Sequence, residues 1–360
     1  MQARFYREST MGKPLLELTE QGYYCARADV YIDPWRRVQR AIVTHAHADH
    51  ARPGMGQYLA HRDSEQVLRL RLGASISLQT LNYREPIFMN GVEITLFPAG
   101  HVPGSAQVRL AYKGEVWVIS GDYKLEDDGL SPAFEPLACQ HFITESTFGL
   151  PVYRWRPQQE ILSEINAWWK GLADSGENAV VSAYSLGKAQ RVLRLLDRSI
   201  GPVYCHSAVA QTNRALEAQG FDFGLWQTLS EAPKEKVQGA ILIAPPAAVG
   251  SAALRKWGDY QTGQCSGWMA LRGQRRWSNL DRGFVLSDHA DWTGLCRAVE
   301  ATGAENVYVT HGYSAVFARY LREEKGLNAQ TVKTMFSGDD AAEDLDKSLM
   351  MQAEKTGGES

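Results

Sequence analysis

"AIVTHAHADH", residues 41–50, decides how this chain is read. A short apolar run ends at Val43, and His45, His47, Asp49 and His50 follow within a few positions. In extended or loop backbone, side chains at i and i+2 project to the same side, so His45 and His47 can grip one cation. Asp49 and His50, just past the bend, point at a neighbouring place and can hold a second. Thr44 reads as the last residue of the strand rather than as a ligand. One loop does not complete such a site, but three further residues stand where strands end: His101 after "LFPAG", Asp122 after "VWVISG" and His311 after "NVYVT". Each adjoins a glycine, Gly100, Gly121 or Gly312. Strand ends converge on one edge of a sheet, so the shared placement argues for one ligand set.

The rest of the composition bounds the answer. With 360 residues, 44% apolar and 22% charged, the chain can bury one large core or two smaller ones. No basic stretch leads into an apolar segment at the start, and no run of about 18 apolar residues occurs, so a soluble, cytoplasmic protein without a membrane span is expected. Five cysteines, odd in number, scattered and never paired as CxxC, argue against a disulfide framework and against a cysteine zinc site. They read as ordinary buried thiols. From Asp339 onward, seven acidic side chains face only Lys347 and Lys355, so this tail carries −5 of a net −3 and the remainder is weakly basic at +2. Such a body is compatible with nucleic acid without requiring it.

Apolar positions alternate in "GVEITLFPAG", while "QVRLAY" and "EVWVIS" flank Lys113-Gly114, a two-residue hairpin turn. An antiparallel, sheet-rich first part is expected. After "HFITEST" the apolar strands "NAVVSAY", "GPVYCHS" and "GAILIAPP" alternate with helical stretches such as "LGKAQRVLRLL" and "AVAQTNRALEAQG", the pattern of a parallel α/β unit. Ser185 is placed to N-cap the first of these helices. Strand and helix recur in "GFVLSDHADWTGLCRAVEATG" and "NVYVTHGYSAVFARYLREE". The expected organisation is a sheet-and-helix domain over 1–150 and 286–338, an α/β insert over 151–285 and an acidic tail over 339–360.

The ordered motifs "AGHVPGSAQV", "VISGDY", "ITESTFG", "VSAYSLGKAQRVLRLL", "VLSDHADW" and "VYVTHG" together resemble the β-CASP subgroup of the metallo-β-lactamase superfamily, over most of the chain. The resemblance implies an α/β fold in which the αββα sandwich of that superfamily carries an inserted parallel α/β β-CASP domain. By position it implies two divalent metal ions per chain, zinc or manganese. His45, His47, His101 and Asp122 would hold one, and Asp49, His50, His311 and the shared Asp122 the other. Asp33 in "YIDP" would support the metal histidines from behind. The same resemblance implies His289, Glu145 and Asp49 as catalytic residues, with His289 protonating the departing oxygen and Glu145 orienting its ring. Asp288 and Asp291 bracket His289, and either reads as the cap of the helix beginning near Trp292.

Two segments offer nucleic-acid contacts. Ser185 and Lys188 resemble the small, basic start of the insert's first helix, where backbone N–H groups receive a phosphate. In "GWMALRGQRRWSNLDRGF", Arg272, Arg275, Arg276 and Arg282 interleave with Trp268 and Trp277, a pattern suited to gripping phosphates and stacking on bases. "TESTFGLPVYRW", "SGWM" and "RGFVLSDHADW" look most like the bacterial DNA-ligase-associated exonucleases, which themselves resemble messenger-RNA 3′-end processing factors. The resemblance implies a DNA exonuclease of DNA repair that cleaves phosphodiesters by metal-assisted in-line displacement, with DNA, an ATP-dependent DNA ligase and a helicase as partners and no membrane. The alternative is an RNA-processing nuclease, endo or exo. A thioesterase or lactamase leaves the insert and the Glu145–His289 pair without a purpose. A non-catalytic scaffold would bury mutually repelling ligands for nothing.

Overall fold

A computed structural model describes residues 14–232, 237–255, 257, 259–271 and 280–334. Arg272, Arg275, Arg276, Trp277 and the acidic tail 339–360 lie outside the described residues.

The first sheet is built in chain order from β1 (Glu17–Leu18), β2 (Tyr23–Cys25), β3 (Val30–Ile32), β4 (Arg40–Ile42), β5 (Gln57–His61) and β6 (Leu78–Leu81), with α1 (Glu65–Leu72) between the last two. The second begins with β7 (Ile87–Met89), β8 (Val92–Pro98), β9 (Ala106–Tyr112), β10 (Glu115–Ile119) and β11 (His141–Glu145). The chain then leaves this sheet. Helix α2 (Gln158–Asp174) leads into a third sheet, β12 (Asn178–Ser182), β13 (Val203–Cys205), β14 (Gln227–Thr228), β15 (Ile241–Ala244), β16 (Tyr260–Cys265) and β17 (Arg282–Phe284), with α3 (Lys188–Arg194) and α4 (Ser207–Glu217) between strands. Its order is β14-β13-β15-β12-β16-β17 and every pairing is parallel. After α5 (Trp292–Thr302) the chain returns to the second sheet with β18 (Asn306–Thr310), α6 (Ser314–Glu323) and β19 (Asn328–Thr331). Strand β18 lies directly against β11.

The hairpin at Lys113-Gly114 forms as expected, with φ of 49° and 88° at its two central residues, the left-handed pair that a type I′ turn requires. The expectation of a uniformly antiparallel first part does not hold. β3 to β6 pair in parallel, as do β10, β11, β18 and β19. Alternation in the sequence reports which faces are buried, not the direction of the neighbouring strand.

Period-two burial stacks the layers. Ile42 and Leu59 face Ile94, Val108, Trp117, Ile119 and Tyr308 in a core between the first two sheets. From the other side of the second sheet, Val118, Phe142, Val307 and Val309 pack on Leu295, Val299 and Phe317 of α5 and α6. On the outer face of the first sheet, Ala41, Tyr58 and Ala60 join a continuous core with Val67 and Leu68 of α1 and with Ile165, Trp169, Val181 and Ile243 around the third sheet. The third sheet is thereby seated on the first through apolar contact. Among the described residues, no helix is long and apolar enough to cross a membrane. All five cysteines are free thiols, four of them buried, and burial pushes each thiol above its ordinary range.

Candidate metal centre and acid pair

Parallel strands end on the same edge, and this edge carries the site. The loop after β4 holds His45, His47, Asp49 and His50; the turn after β10 holds Asp122; β11 ends in Glu145; and β18 is followed by His311. A backbone hydrogen bond from Ala106 N–H to Thr44 C=O (2.8 Å) ties the loop of the first sheet to the second.

His45, His47, His101 and Asp122 are all buried, and one ligand atom from each lies within 4.8 Å of the others. Second contacts fix which nitrogen faces inward. His101 Nδ1–H donates to the Asp288 carbonyl (2.9 Å) and His47 Nε2–H to the Leu186 carbonyl (3.3 Å). A carbonyl only accepts, so the lone pairs are on His101 Nε2 and His47 Nδ1. Those two atoms are 3.0 Å apart, and His45 Nε2 is 3.2 Å from the same His47 Nδ1. Three neutral imidazoles with converging lone pairs repel one another unless a cation sits among them. Burial holds all three below the ordinary histidine range, His47 at about 3, which keeps them in the neutral form a metal takes.

Behind them, Asp33 occupies left-handed backbone (φ 43°) and accepts from Thr44 N–H (2.8 Å), Thr44 Oγ1–H (2.6 Å) and His50 Nδ1–H (2.6 Å). Thr44, read from the sequence as a plain strand end, is a hub. Its hydroxyl donates to Asp33 and stands 3.2 Å from His45 Nδ1, whose N–H it accepts. With Nδ1–H given to Asp33, His50 Nε2 is buried without a hydrogen-bond partner, 3.3 Å from Asp49 Oδ2 and 3.6 Å from Asp122 Oδ2. A lone pair facing two carboxylates needs either a proton or a cation. Burial opposes the proton, but Asp49, Asp122 and Asp33 outweigh it and push His50 well above its ordinary pKa. The orphaned nitrogen, the carboxylate pair and the converging imidazoles are the nitrogen and oxygen donors that a divalent cation takes, so the residues fit the metal site.

His45, Asp49 and His50 form a second group whose ligand atoms lie within 4.8 Å of one another. His311, expected beside Asp49 and His50, is in neither group; its ring stacks on His50 at 5.4 Å between centroids. A third group joins Asp122 to Glu145 and His289. Both Glu145 oxygens are 2.9 Å from His289 Nδ1, and the carboxylate also accepts from Tyr123 N–H (2.8 Å) and Thr147 N–H (3.3 Å). Burial works against this carboxylate, yet the His289 pairing and the N–H donors hold it below its ordinary range. The His289 ring lies 4.6 Å from that of His101, and Trp155 Nε1–H donates to the His289 carbonyl (2.9 Å).

The remaining expectations divide. Asp291 is the helix cap, accepting from Gly294 N–H (2.7 Å). Asp288 is not; it is buried in ion pairs with Arg191 and Lys188. Ser185 does not cap α3, which begins at Lys188 with Gly187 as its cap, and the Gly187 N–H is taken by Gln190 Oε1 (2.7 Å). Lys188 is buried, 3.3 Å from Asp288 and 4.6 Å over the Tyr184 ring, so its charge is matched inside the protein rather than offered to a phosphate. Glycine at 187 (φ 91°) lets the segment touch the loop between β8 and β9, since a Cβ there would meet Val102 at 2.3 Å. Trp268 packs in an aromatic cluster with Phe148, Tyr153 and Tyr313. The role of Arg191 was missed from the sequence because it acts through buried contacts between distant segments, that of Leu186 because it acts through a carbonyl that every residue has, and that of Thr44 because a strand-end threonine carries no signal of the hydroxyl contacts it makes.

No protein-family model matches the chain. It is 33% identical over 318 residues to a probable DNA ligase of Opitutus terrae, a match covering 86% of this chain and 30% of the relative. It is 24% identical to cleavage and polyadenylation specificity factor 73 of Drosophila melanogaster, covering 58% of this chain and 31% of that one. Over 33% of its length it is 33% identical to the endoribonuclease ysh1 of Aspergillus fumigatus, covering 14% of that protein. The chain thus spans less than a third of the length of these curated relatives. A solved structure of a protein of unknown function from Enterococcus faecalis shares the fold, with a TM-score of 0.53 at 12% identity over 82% of this chain and 79% of that one.

Proposed function

This chain belongs to the β-CASP family of the metallo-β-lactamase fold, and from that premise we propose that it is a metal-dependent phosphodiesterase that trims DNA ends. The observation that carries the reading is the contact between a cation-ready donor set and a proton donor. Asp122 belongs to both groups, and the His101 and His289 rings are 4.6 Å apart.

In this reading His45, His47, His101 and Asp122 hold one divalent ion, zinc or manganese, and Asp49, His50 and the shared Asp122 hold a second with His311 at its margin. Ions bound there supply Lewis-acid polarisation of a phosphoryl oxygen and lower the pKa of water. The remaining work falls to the chain. Asp33 and Thr44 hold His45 and His50 in the tautomers that turn Nε2 inward. Glu145 accepts a hydrogen bond from His289 Nδ1–H, so the proton exchanged with a leaving oxygen is the one on Nε2, and the carboxylate favours the charged imidazolium that gives it up. The sandwich is assigned to 1–150 and 286–338 and the β-CASP insert to 151–285, with the cleft between them receiving the nucleic acid.

DNA is preferred because the match to the probable DNA ligase runs over most of this chain, which also supports a working association with a ligase; a helicase partner rests on the family resemblance alone. The names of the shorter matches, endoribonucleases, favour RNA as the second reading. The test is incubation of purified protein, supplied with manganese or zinc, with matched end-labelled single-stranded DNA and RNA. Stepwise shortening of DNA alone, abolished in Asp122→Ala and His289→Ala, is expected and gives the polarity. Cleavage of RNA alone moves the protein to RNA processing, and inertness of metal-loaded protein on both overturns the nuclease assignment.

A further inference from the structure

The segment Leu186–Arg191 belongs to the third-sheet unit, yet it touches two members of the metal-ready set. The Leu186 carbonyl accepts a hydrogen bond from His47 Nε2–H (3.3 Å). Arg191 NH2 donates to the His101 carbonyl (3.1 Å), and its NH1 pairs with Asp288, whose own carbonyl accepts from His101 Nδ1–H (2.9 Å). The other edge of the guanidinium pairs with Asp128 of the sandwich. The Arg191 side chain is fully buried, and those of Asp128 and Asp288 are 1% and 3% exposed. One planar fork therefore joins three separate segments around His101, a geometry that a single ammonium cannot reproduce.

We propose that Arg191 is a positioning residue for the metal centre: acting through Asp288, it fixes the tautomer and orientation of His101, so that metal affinity depends on the third-sheet unit being docked. Arg191 touches no ligand atom of the set, and its effect is exerted through backbone carbonyls. The Leu186 carbonyl does the same for His47 from the same loop, so two of the three imidazoles are aimed by a segment some 140 and 90 residues away in sequence. Undocking the unit takes the Leu186 carbonyl away from His47 and leaves Asp288 without the guanidinium that holds its carbonyl against His101.

The inference rests on the reading of His45, His47, His101 and Asp122 as metal ligands. Its test therefore measures metal binding directly. Full-length wild type, Arg191→Lys and Arg191→Met are titrated with zinc against a chromogenic chelator and with cobalt(II) alone, whose visible absorption reports ligand geometry. Leu254→Ala, in the core on the far face of the third sheet, serves as a comparator that loosens the unit without touching the clamp. Loss of about tenfold to a hundredfold in affinity with an altered cobalt spectrum in Arg191→Lys, and wild-type binding by folded Leu254→Ala, is the expected result. If Arg191→Met does not fold, Arg191→Lys carries the test alone. Wild-type affinity and spectrum in Arg191→Lys overturn the positioning role, as does an equal loss in Leu254→Ala. Absence of binding by the wild type overturns the metal reading itself and is told apart by that control.

Discussion

At the residue scale, the buried histidines make the metal-free chain sensitive to acid. Burial holds His47 at about 3 and His311 at about 4, and keeps His45 and His101 well down, with neighbouring imidazoles adding to the effect. Unfolded histidines take up protons near pH 6.5. Below that point the unfolded state binds more protons than the folded one, so stability falls as pH falls. Asp122 opposes this: burial pushes it up to about 7 against the pull of His50, so the folded chain keeps a proton that an unfolded carboxyl releases above about 4. His50, raised by its carboxylate neighbours against burial, is charged in both states below pH 6.5 and adds nothing there. The balance leaves the histidines ahead, at about 1.4 kcal/mol per pH unit for each one not offset. Urea midpoints of chelator-treated protein should therefore drop on going from pH 7 to 6 to 5. A flat or rising midpoint sinks the neutral-histidine account. Much of this centre was legible in the sequence, because four ligand-type residues within six positions have few other uses. His311 was placed correctly at its strand end, but its stacking on His50 depends on a left-handed φ of 55° that no spacing reveals.

At the element scale, the turn after β18 is a close fit. Gly312 has φ 57°, and a Cβ there would lie 2.4 Å from the Ser146 carbonyl oxygen, which is backbone and has little room to yield. Gly176, at φ 77° after α2, has nothing within 4 Å. Alanine at 176 should cost about 1 kcal/mol from backbone strain alone, whereas Gly312→Ala should cost several times that and carry His311 with it. Thermal melts of the two variants check this, and equal shifts would show that the Ser146 contact does not matter. Boundaries and partners of elements were less legible than their existence. Alternating apolar residues marked β8 to β10 of the second sheet, whereas the short strands of the first sheet went unmarked, and the parallel pairing of β3 to β6 was not legible because pairing direction is decided by connections rather than by side chains. Ser185 looked like a cap by type and position. The helix starts later because the Gln190 side chain accepts from Gly187 N–H and the close approach to Val102 demands glycine.

At the scale of the whole molecule, a cation that binds only the assembled edge ties every layer to it. Zinc or manganese at a hundredfold excess over Kd should add about 2.7 kcal/mol of stability. The melting temperature should rise with metal concentration in the wild type and stay level in Asp122→Ala. A wild-type transition indifferent to metal and chelator would exclude binding coupled to the folded state. The change in pattern after "HFITEST" pointed to a separate run of parallel strands and helices, which forms the third sheet, but the buried Asp128–Arg191–Asp288 pairing was not legible, since its members are far apart in sequence and each resembles a surface residue. There remains the register of β11 with β18, Glu145 opposite Thr310. Until the ribosome has delivered β18, β11 is an open sheet edge, and an open edge invites pairing with other chains. The pairing that closes it spans well over a hundred residues, a long loop to close and a slow step for a folding chain. Synthesis of this protein thus includes an interval in which the second sheet waits, half-finished, for its last two strands, and that interval is when a newborn chain has most need of chaperone shelter.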